Sequence, residues 1–361
     1  MSYQQHGPSR FYALLIGINY YLPNALPHGS YQSLEGCVRD ITEVERFLRS
    51  TLHLPDMQIV KLQASRGRKG PRETREQWPT YENMVAAFQN ITQMAQAGDQ
   101  VYIHYSGHGG RAKTQFPELK GEHGFDEALV PMDIGYPTTD YLRDVEIARL
   151  LKTMIDRGLI VTVVLDSCHS GSATRGGGDR VRGLPTIDPT IRPSQNLVAT
   201  REVLIETWHQ LHGGTSRGFM LGSGWLPEVK DYVLLAACRA TESAYEHSFS
   251  GVGKHGVLTY WFLDALKQLT PGLTYKQLHD RMVAKVHSEF VLQTPQLQGD
   301  GARTVFCLAA CRREQSGSQT SRTIRTGVLH GRGRGDGIKG GGRPKRGDGG
   351  RMTWKDATLP H

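Results

Sequence analysis

Six short runs rich in Val, Ile, Leu and Tyr recur along this chain with helical segments between them, and that alternation constrains the fold more than any other feature. The runs are FYALLIGI (11–18), MQIVKL (57–62), QVYIHYS (100–106), LIVTVVLD (159–166), YVLLAA (232–237) and TVFCLA (304–309). Several are apolar on both faces, as suits strands covered from both sides. Residues 36–50, 81–96, 144–156, 256–269 and 274–290 carry apolar side chains at helical spacing. Strand and helix in alternation predict a three-layer α/β sandwich: a mostly parallel central sheet with helices on both faces.

Charge separates a folded part from a tail. The net charge is +8, but residues 312–361 alone hold 12 Lys/Arg against 4 Asp/Glu, and the other 311 residues hold 31 of each. The same tail holds 12 glycines and the stretch GRGRGDGIKGGGRPKRGDGG. Such a composition cannot bury a core and reads as disordered. Its charge suits electrostatic contact with nucleic acid or an acidic surface. Trp354 is its one aromatic, which leaves little for base stacking, and a solvated tail is the plainer alternative. The five cysteines, Cys37, Cys168, Cys238, Cys307 and Cys311, are too sparse and odd in number for a disulfide framework. A reducing, cytoplasmic setting is expected, with Cys307 a strand thiol and Cys311 a surface thiol. FYALLIGI is too short to cross a membrane.

Two strands end in reactive groups. QVYIHYSGHGG brings His108 out between glycines, and VTVVLDSCHSG ends by presenting Cys168. Ligands of open α/β sheets sit at the carboxyl ends of the strands, and sequential strands tend to be neighbours. An imidazole facing a thiol lowers its pKa and later protonates a leaving group. The N–H groups of Gly109 and of Cys168 itself are then candidates for an oxyanion hole. The plainer readings are a buried strand-end cysteine and a loop histidine; the two motifs together outweigh them. His104 and His108, four residues apart, with His123 and Asp126 downstream, also suggest a zinc site. A pair four residues apart meets on a helix, whereas this segment reads as strand and glycine turn, so no metal is expected there.

HYSGHGG and DSCHSG resemble the histidine and cysteine motifs of the metacaspases, including the prokaryotic orthocaspases. The resemblance runs through FYALLIGINYY, LEGCVRDITEVERFL, FDEALVPMD, YVLLAACRATESAYE and GVLTYWFLDAL, over roughly residues 10–310. It implies a caspase-like fold, His108 as general base and Cys168 as nucleophile. It also implies a basic specificity pocket lined by Asp40 and Asp166, with Cys37 and Ser106 at other pocket positions, because paired carboxylates bind a guanidinium strongly. The corresponding organisation is a short extension (1–10) and a peptidase domain (11–311). That domain divides into a large-subunit-like part (11–170), a long processing loop (171–231) and a small-subunit-like part (232–311). No Pro-rich or zinc-finger prodomain is seen, which suits the shorter type. Calcium-activated metacaspases carry acidic residues where this chain has His123, the Asp144–Val145 region and Arg175. A calcium ion needs six or more oxygen ligands, so no cofactor is expected. Asp126, Glu127 and Asp133 read as a solvated acidic loop.

The expected protein is therefore a monomeric cysteine endopeptidase acting on protein or peptide substrates after Arg or Lys. The rival is a catalytically idle caspase-like adaptor, which the intact His108 and Cys168 disfavour. The 171–231 loop carries Arg175, Arg180, Arg182, Arg192, Arg201, Arg217 and Lys230, most of them beside glycine or proline. Arg192 precedes proline and Arg201 falls in the helical stretch 196–212, which handicaps both as cleavage sites. Arg217–Gly218 has neither handicap and is the bond expected to be self-cleaved.

Overall fold

Every residue of FYALLIGI is buried, and its side chains enter two different cores alternately. The structure, a computed structural model, describes residues 9–307 except 53, 55, 169–178, 194, 212–225 and 227–230. In chain order the elements are β1 (Phe11–Ile18), α1 (Cys37–Leu52), β2 (Met57–Ala64), α2 (Tyr81–Met94), β3 (Gln100–Ser106), β4 (Gly109–Lys113), α3 (Pro117–Lys120), β5 (Phe125–Leu129), β6 (Leu142–Arg143), α4 (Asp144–Asp156) and β7 (Ile160–Asp166). They continue with β8 (Arg180–Val181), α5 (Arg201–Leu211), β9 (Tyr232–Ala236), β10 (Tyr245–Phe249), β11 (Gly253–Gly256), α6 (Val257–Leu266), α7 (Tyr275–Glu289) and β12 (Gln296–Gly299). The basic tail lies outside the described residues. Among the described residues no helix is long and apolar enough to cross a membrane.

The central sheet has the order β12-β9-β7-β3-β1-β2, parallel except for β12. Leu14 and Ile16 of β1, with Ile103, Val163 and Leu234, pack under Met84, Phe88 and Ile91 of α2 and Leu150, Leu151 and Met154 of α4. Ala13 and Leu15, with Val164 and Leu235, pack against Ile41, Val44 and Leu48 of α1, Leu258 and Phe262 of α6, and Leu278 and Met282 of α7. This is the strand period of two feeding both faces, and it makes the three-layer α/β sandwich anticipated from the runs. Thr80 and Thr274 cap α2 and α7 through their hydroxyls, the latter in a capping box with Gln277.

The sixth apolar run is not a strand. Val305–Cys307 form a single 3₁₀ turn, with Phe306 and Cys307 at φ 52° and 49°. The bend drives the Phe306 ring against Phe11 and Tyr102, at centroid distances of 6.0 and 5.7 Å. Burying that ring between helix and sheet outweighs the strand preference of the sequence, and Cys307 is accordingly no strand thiol. The sheet edge is taken instead by β12, whose QLQG is half-exposed and carries no apolar run.

Two small antiparallel sheets, β4-β5-β6 and β11-β10-β8, complete the fold. The first is held by charge. Lys120 reaches Asp126 at 3.0 Å and Asp144 at 2.5 Å, while Arg143 reaches Asp126 at 2.7 Å and Asp140 at 2.8 Å. Both cations are 1% exposed. The acidic stretch is thus not a solvated loop: Asp126 is fully buried, and Asp133 accepts from the Tyr81 N–H at the start of α2 and from Thr139. The cations that neutralise the cluster come from Lys120 and Arg143, on other elements. Glu127 lies beside Asp144, and burial first, then that neighbour, pushes its pKa up to about 8.

Removing one member of a buried charge pair costs about 3–5 kcal/mol. Lys120→Ala should therefore lower the urea midpoint sharply, and a midpoint within error of wild type would show that the cluster is not structural. Glu127 binds its proton more tightly folded than unfolded, so its contribution is full below about pH 4.5 and is lost as pH rises through about 8. Glu127→Gln should flatten the fall in stability between about pH 5 and 8.

Candidate active site

β3 and β7 are parallel neighbours in register, with Ser106 opposite Asp166. Each strand therefore delivers its motif at the same level: His108 lies two residues past Ser106, and Cys168 two past Asp166. Both side chains are buried. The His108 ring is fixed by one contact, Nε2 to the carbonyl of Gln32 at 2.7 Å. A carbonyl only accepts, so the proton sits on Nε2 and Nδ1 carries a lone pair. That Nδ1 is buried and has no partner. Tyr21 and Tyr31 flank the ring at 4.9 and 5.3 Å, and the Tyr21 hydroxyl accepts from the His108 N–H at 2.7 Å.

The carbonyl of Arg182 joins the two loops. It accepts from the N–H of Gly109 at 2.9 Å and from the N–H of Cys168 at 3.2 Å. These are the two donors expected to hold an oxyanion, and here they converge on one peptide oxygen. Burial pushes the Cys168 thiol up to about 12 and the His108 imidazole down to about 4, because neither ion is solvated there. In this state both groups are neutral. An imidazole lone pair and a thiol on adjoining loops, with two N–H groups aimed at one oxygen, are the groups needed to accept a proton, return it, and steady a negative oxygen between the two steps.

The side chain of Arg182 fills the pocket below, and it is completely buried. Its Nη2 bonds Asp40 at 2.8 Å; its Nη1 bonds Ser106 Oγ at 2.8 Å and the Asp166 carbonyl at 3.0 Å. Asp166 Oδ1 stands 3.2 Å from Nη1, and Glu246 3.7 Å from Nη2. Asp40 is held by Ser106 (2.7 Å), by Nδ1 of His255 (2.8 Å) and by the Gly256 N–H (3.1 Å). Asp166 accepts from the Thr259 N–H (2.8 Å) and hydroxyl (2.6 Å). Burial alone would raise both carboxyls; at Asp40 Arg182 and His255 overcome it and hold the group below its ordinary value, whereas at Asp166 burial prevails. Gly256 leaves the room: a Cβ there would stand 2.1 Å from Asp166 Oδ2 and 2.2 Å from Arg182 Nη1.

Asp40, Asp166 and Ser106 thus meet on one cation, with Cys37 buried beside them, its thiol raised by burial. Glu246, His255, Thr259, Gln32 and Arg182 itself escaped the sequence reading. Glu246 and His255 lie on a hairpin with no distinctive composition, and Gln32 acts only through its backbone. His104 is not a metal ligand. Thr259 donates to Asp166, so it accepts from Nε2 of His104 at 3.0 Å, while Nδ1 accepts from Tyr102 at 2.8 Å. His123 is exposed, and among the described residues no group of three His, Cys, Asp or Glu could hold a metal ion. Arg217, Arg175 and Cys311 lie outside the described residues.

A fully buried thiol with a pKa of about 12 exposes almost no thiolate to reagents. In the intact chain Cys168 should react with iodoacetamide at pH 8 at least roughly a hundredfold more slowly than free cysteine. Peptide mapping of the alkylated protein measures this, and alkylation at the free-thiol rate would contradict the buried neutral state.

Comparison with known proteins agrees with this arrangement. The family model "Metacaspase, peptidase C14 domain" matches residues 12–175, which span β1 to the Cys168 loop. Metacaspase-1 of Mycosarcoma maydis is 29% identical over 299 residues, covering 79% of this chain and 69% of its own. Metacaspase-1B of Aspergillus fumigatus is 29% identical over 310 residues, covering 79% and 68%. A crystal structure of a Geobacter sulfurreducens protein shares the fold with a TM-score of 0.50 at 19% identity, over 81% of this chain and 94% of that one. With the histidine and cysteine motifs brought to one crevice of a six-stranded α/β sheet, these similarities make residues 12–175 resemble the metacaspase peptidase domain and support a cysteine peptidase of that class.

Proposed function

We propose that this protein is an endopeptidase that cuts after arginine, and less readily after lysine, with Cys168 as nucleophile and His108 as general base. One observation carries the reading. An arginine occupies the pocket of Asp40, Asp166 and Glu246 while its own carbonyl oxygen rests on the N–H groups of Gly109 and Cys168. A substrate arginine bound the same way would present its carbonyl carbon beside the thiol. Nδ1 of His108 takes the thiol proton, the sulfur attacks, and the oxyanion forms where the two N–H groups already point. His108 then protonates the departing amine, and water releases the acid. Arginine is preferred because its planar fork meets Asp40, Ser106 and the Asp166 carbonyl together, whereas a lysine ammonium is a single point.

No metal enters this chemistry. The carboxylates of Asp126 and Asp144 are neutralised by Lys120 and Arg143, which supports activity without calcium. Self-processing within residues 171–231 belongs to the same reading, since that loop offers the enzyme its own arginines. An idle adaptor has no use for a pocket in which an arginine and both oxygen-binding N–H groups are satisfied at once.

Short fluorogenic peptides ending in Arg, Lys or Asp test the proposal. Arg-ending peptides should be hydrolysed, Asp-ending ones not, and Cys168→Ala should abolish the activity. Asp40→Asn should lower kcat/KM for Arg-ending peptides about tenfold or more, since one charged hydrogen bond contributes roughly 1.5–3 kcal/mol. Activity should persist in EGTA. Hydrolysis by the Cys168→Ala protein, or preferred cleavage after Asp, would overturn the assignment.

A further inference from the structure

We propose that Arg182–Gly183 is the protein's own first scissile bond, and that until it is cut the segment around it closes the active site. This rests on the reading that Cys168 cuts after arginine, but it names a bond and a regulatory state which that reading leaves open.

Residues 179–192 lie across the cleft as a bound peptide would. Upstream of the bond, β8 pairs antiparallel with β10, Val181 opposite Tyr245 and Arg180 opposite Glu246. The Arg182 N–H donates to the Ala244 carbonyl at 2.9 Å. Arg180 bonds the Ser33 carbonyl at 2.7 Å and pairs with Glu35 at 3.2 Å, and Asp179 meets His247 at 2.7 Å. At the bond itself, the Arg182 side chain is in the acidic pocket and its carbonyl oxygen is on the Gly109 and Cys168 N–H groups. Gly183 abuts the thiol: a Cβ on it would stand 2.9 Å from Cys168 Sγ and 2.6 Å from the Cys168 carbonyl oxygen. Downstream, Asp188 trades backbone hydrogen bonds with Arg111 and Lys113 at 2.8 Å each, and its carboxylate accepts from Tyr141 at 2.9 Å. Arg192 bonds the carbonyls of Ile134 and Thr139 at 3.1 and 2.9 Å.

Strand pairing before the bond, a filled pocket and oxygen site at it, and a buried anchor after it are what a protease requires of a substrate, and the chain supplies them to itself. Arg182 is not an accessible loop arginine: it is among the largest fully buried side chains. The sulfur adds to the Arg182 carbonyl carbon, and the C–N bond to Gly183 breaks. The proton that His108 took from the thiol passes to the Gly183 amine. Water then cleaves the thioester, leaving a carboxylate on Arg182 and restoring the thiol. The new carboxylate forms beside the thiol on the Gly109 and Cys168 N–H groups, and once the chain ends there residues 179–182 are a product segment that a free peptide can displace. Gly183 onward stays in place through Asp188 and Arg192. Both fragments stay together because β7 and β9 are paired in one sheet. In the uncut chain the plug is joined to the enzyme, so free peptides compete against an effective concentration on the order of millimolar.

Wild type, Arg182→Gln and Arg182→Lys are to be followed by mass spectrometry of new N-termini and by hydrolysis of an Arg-ending peptide. Wild type should give a fragment beginning at Gly183, at a rate independent of protein concentration, with peptidase activity rising in step. Arg182→Lys should still be cut, more slowly. Arg182→Gln should not be cut there, yet should hydrolyse the peptide from the start without a lag. In a His108→Ala background, which cannot cut itself, adding Arg182→Gln should speed alkylation of Cys168 at least about tenfold, and this reads out the plug even if the single variant folds poorly. Full peptidase activity with the 182–183 bond intact, or a first cut at Arg217–Gly218, would overturn the inference while leaving the specificity reading standing. A chain that cuts itself at Gly183 but then hydrolyses no Arg-ending peptide would overturn the proposed activity on other chains while leaving the self-cleaved bond standing.

Discussion

A guanidinium with no solvent contact, held among three carboxylates, is the interaction on which the site depends. Asp40, Asp166 and Glu246 are each essentially buried, and three unpaired anions at that depth would be driven to protonate. Arg182 offsets that penalty, most fully at Asp40, and ties together a helix start, a strand end and a hairpin that are distant in sequence. Much of what surrounds it follows. Gly256 is bare because the guanidinium and Asp166 need its space. His255, Ser106 and Thr259 spend their donors on the carboxylates, and His104 and Tyr102 orient Thr259 in turn. A pocket of this kind is complete only with a cation inside it, whether from the chain or from another peptide.

The scaffold serves that pocket through strand order. β1, β3 and β7 lie side by side with their carboxyl ends level, so Gly17, Ser106 and Asp166 fall in one row. α1 packs over that row and delivers Asp40 from its first turn. The small β4-β5-β6 sheet begins at Gly109 and therefore carries one of the two N–H groups at the site. Lys120 and Arg143 lock the far part of that sheet to α4. The buried charges of that cluster and the chemistry of Cys168 are thus linked through a single short strand.

The layered fold was legible because it is written in local periods. The unbroken apolar run of β1 and the helical spacing in α1, α2, α4, α6 and α7 need no knowledge of the rest of the chain. His108, Gly109 and Cys168 were legible because glycines beside a strand-end histidine and cysteine have few other uses. Asp40 and Asp166 drew attention only through the family resemblance, since a carboxylate in a first helical turn or at a strand end is ordinary by itself. TVFCLA misled because strand preference is a weak force beside the burial of one phenylalanine ring. The Asp126–Asp133 stretch misled because its cations, Lys120 and Arg143, lie on other elements.

By itself, then, the sequence determined five strands of the central sheet and its main helices, that the sheet is covered on both faces, and which two loops bear the thiol and the imidazole. Each of these follows from spacing within a few residues. The tertiary structure alone decided that Gln32 orients His108, that Glu246 and His255 belong to the acidic pocket, and that Arg182 rather than another loop arginine fills it. Those are contacts between residues 70 to more than 200 positions apart, made only once the parallel strands align. Nothing in the local sequence marks one arginine among the six of the loop, because what singles it out is the position of its carbonyl and its charge in space.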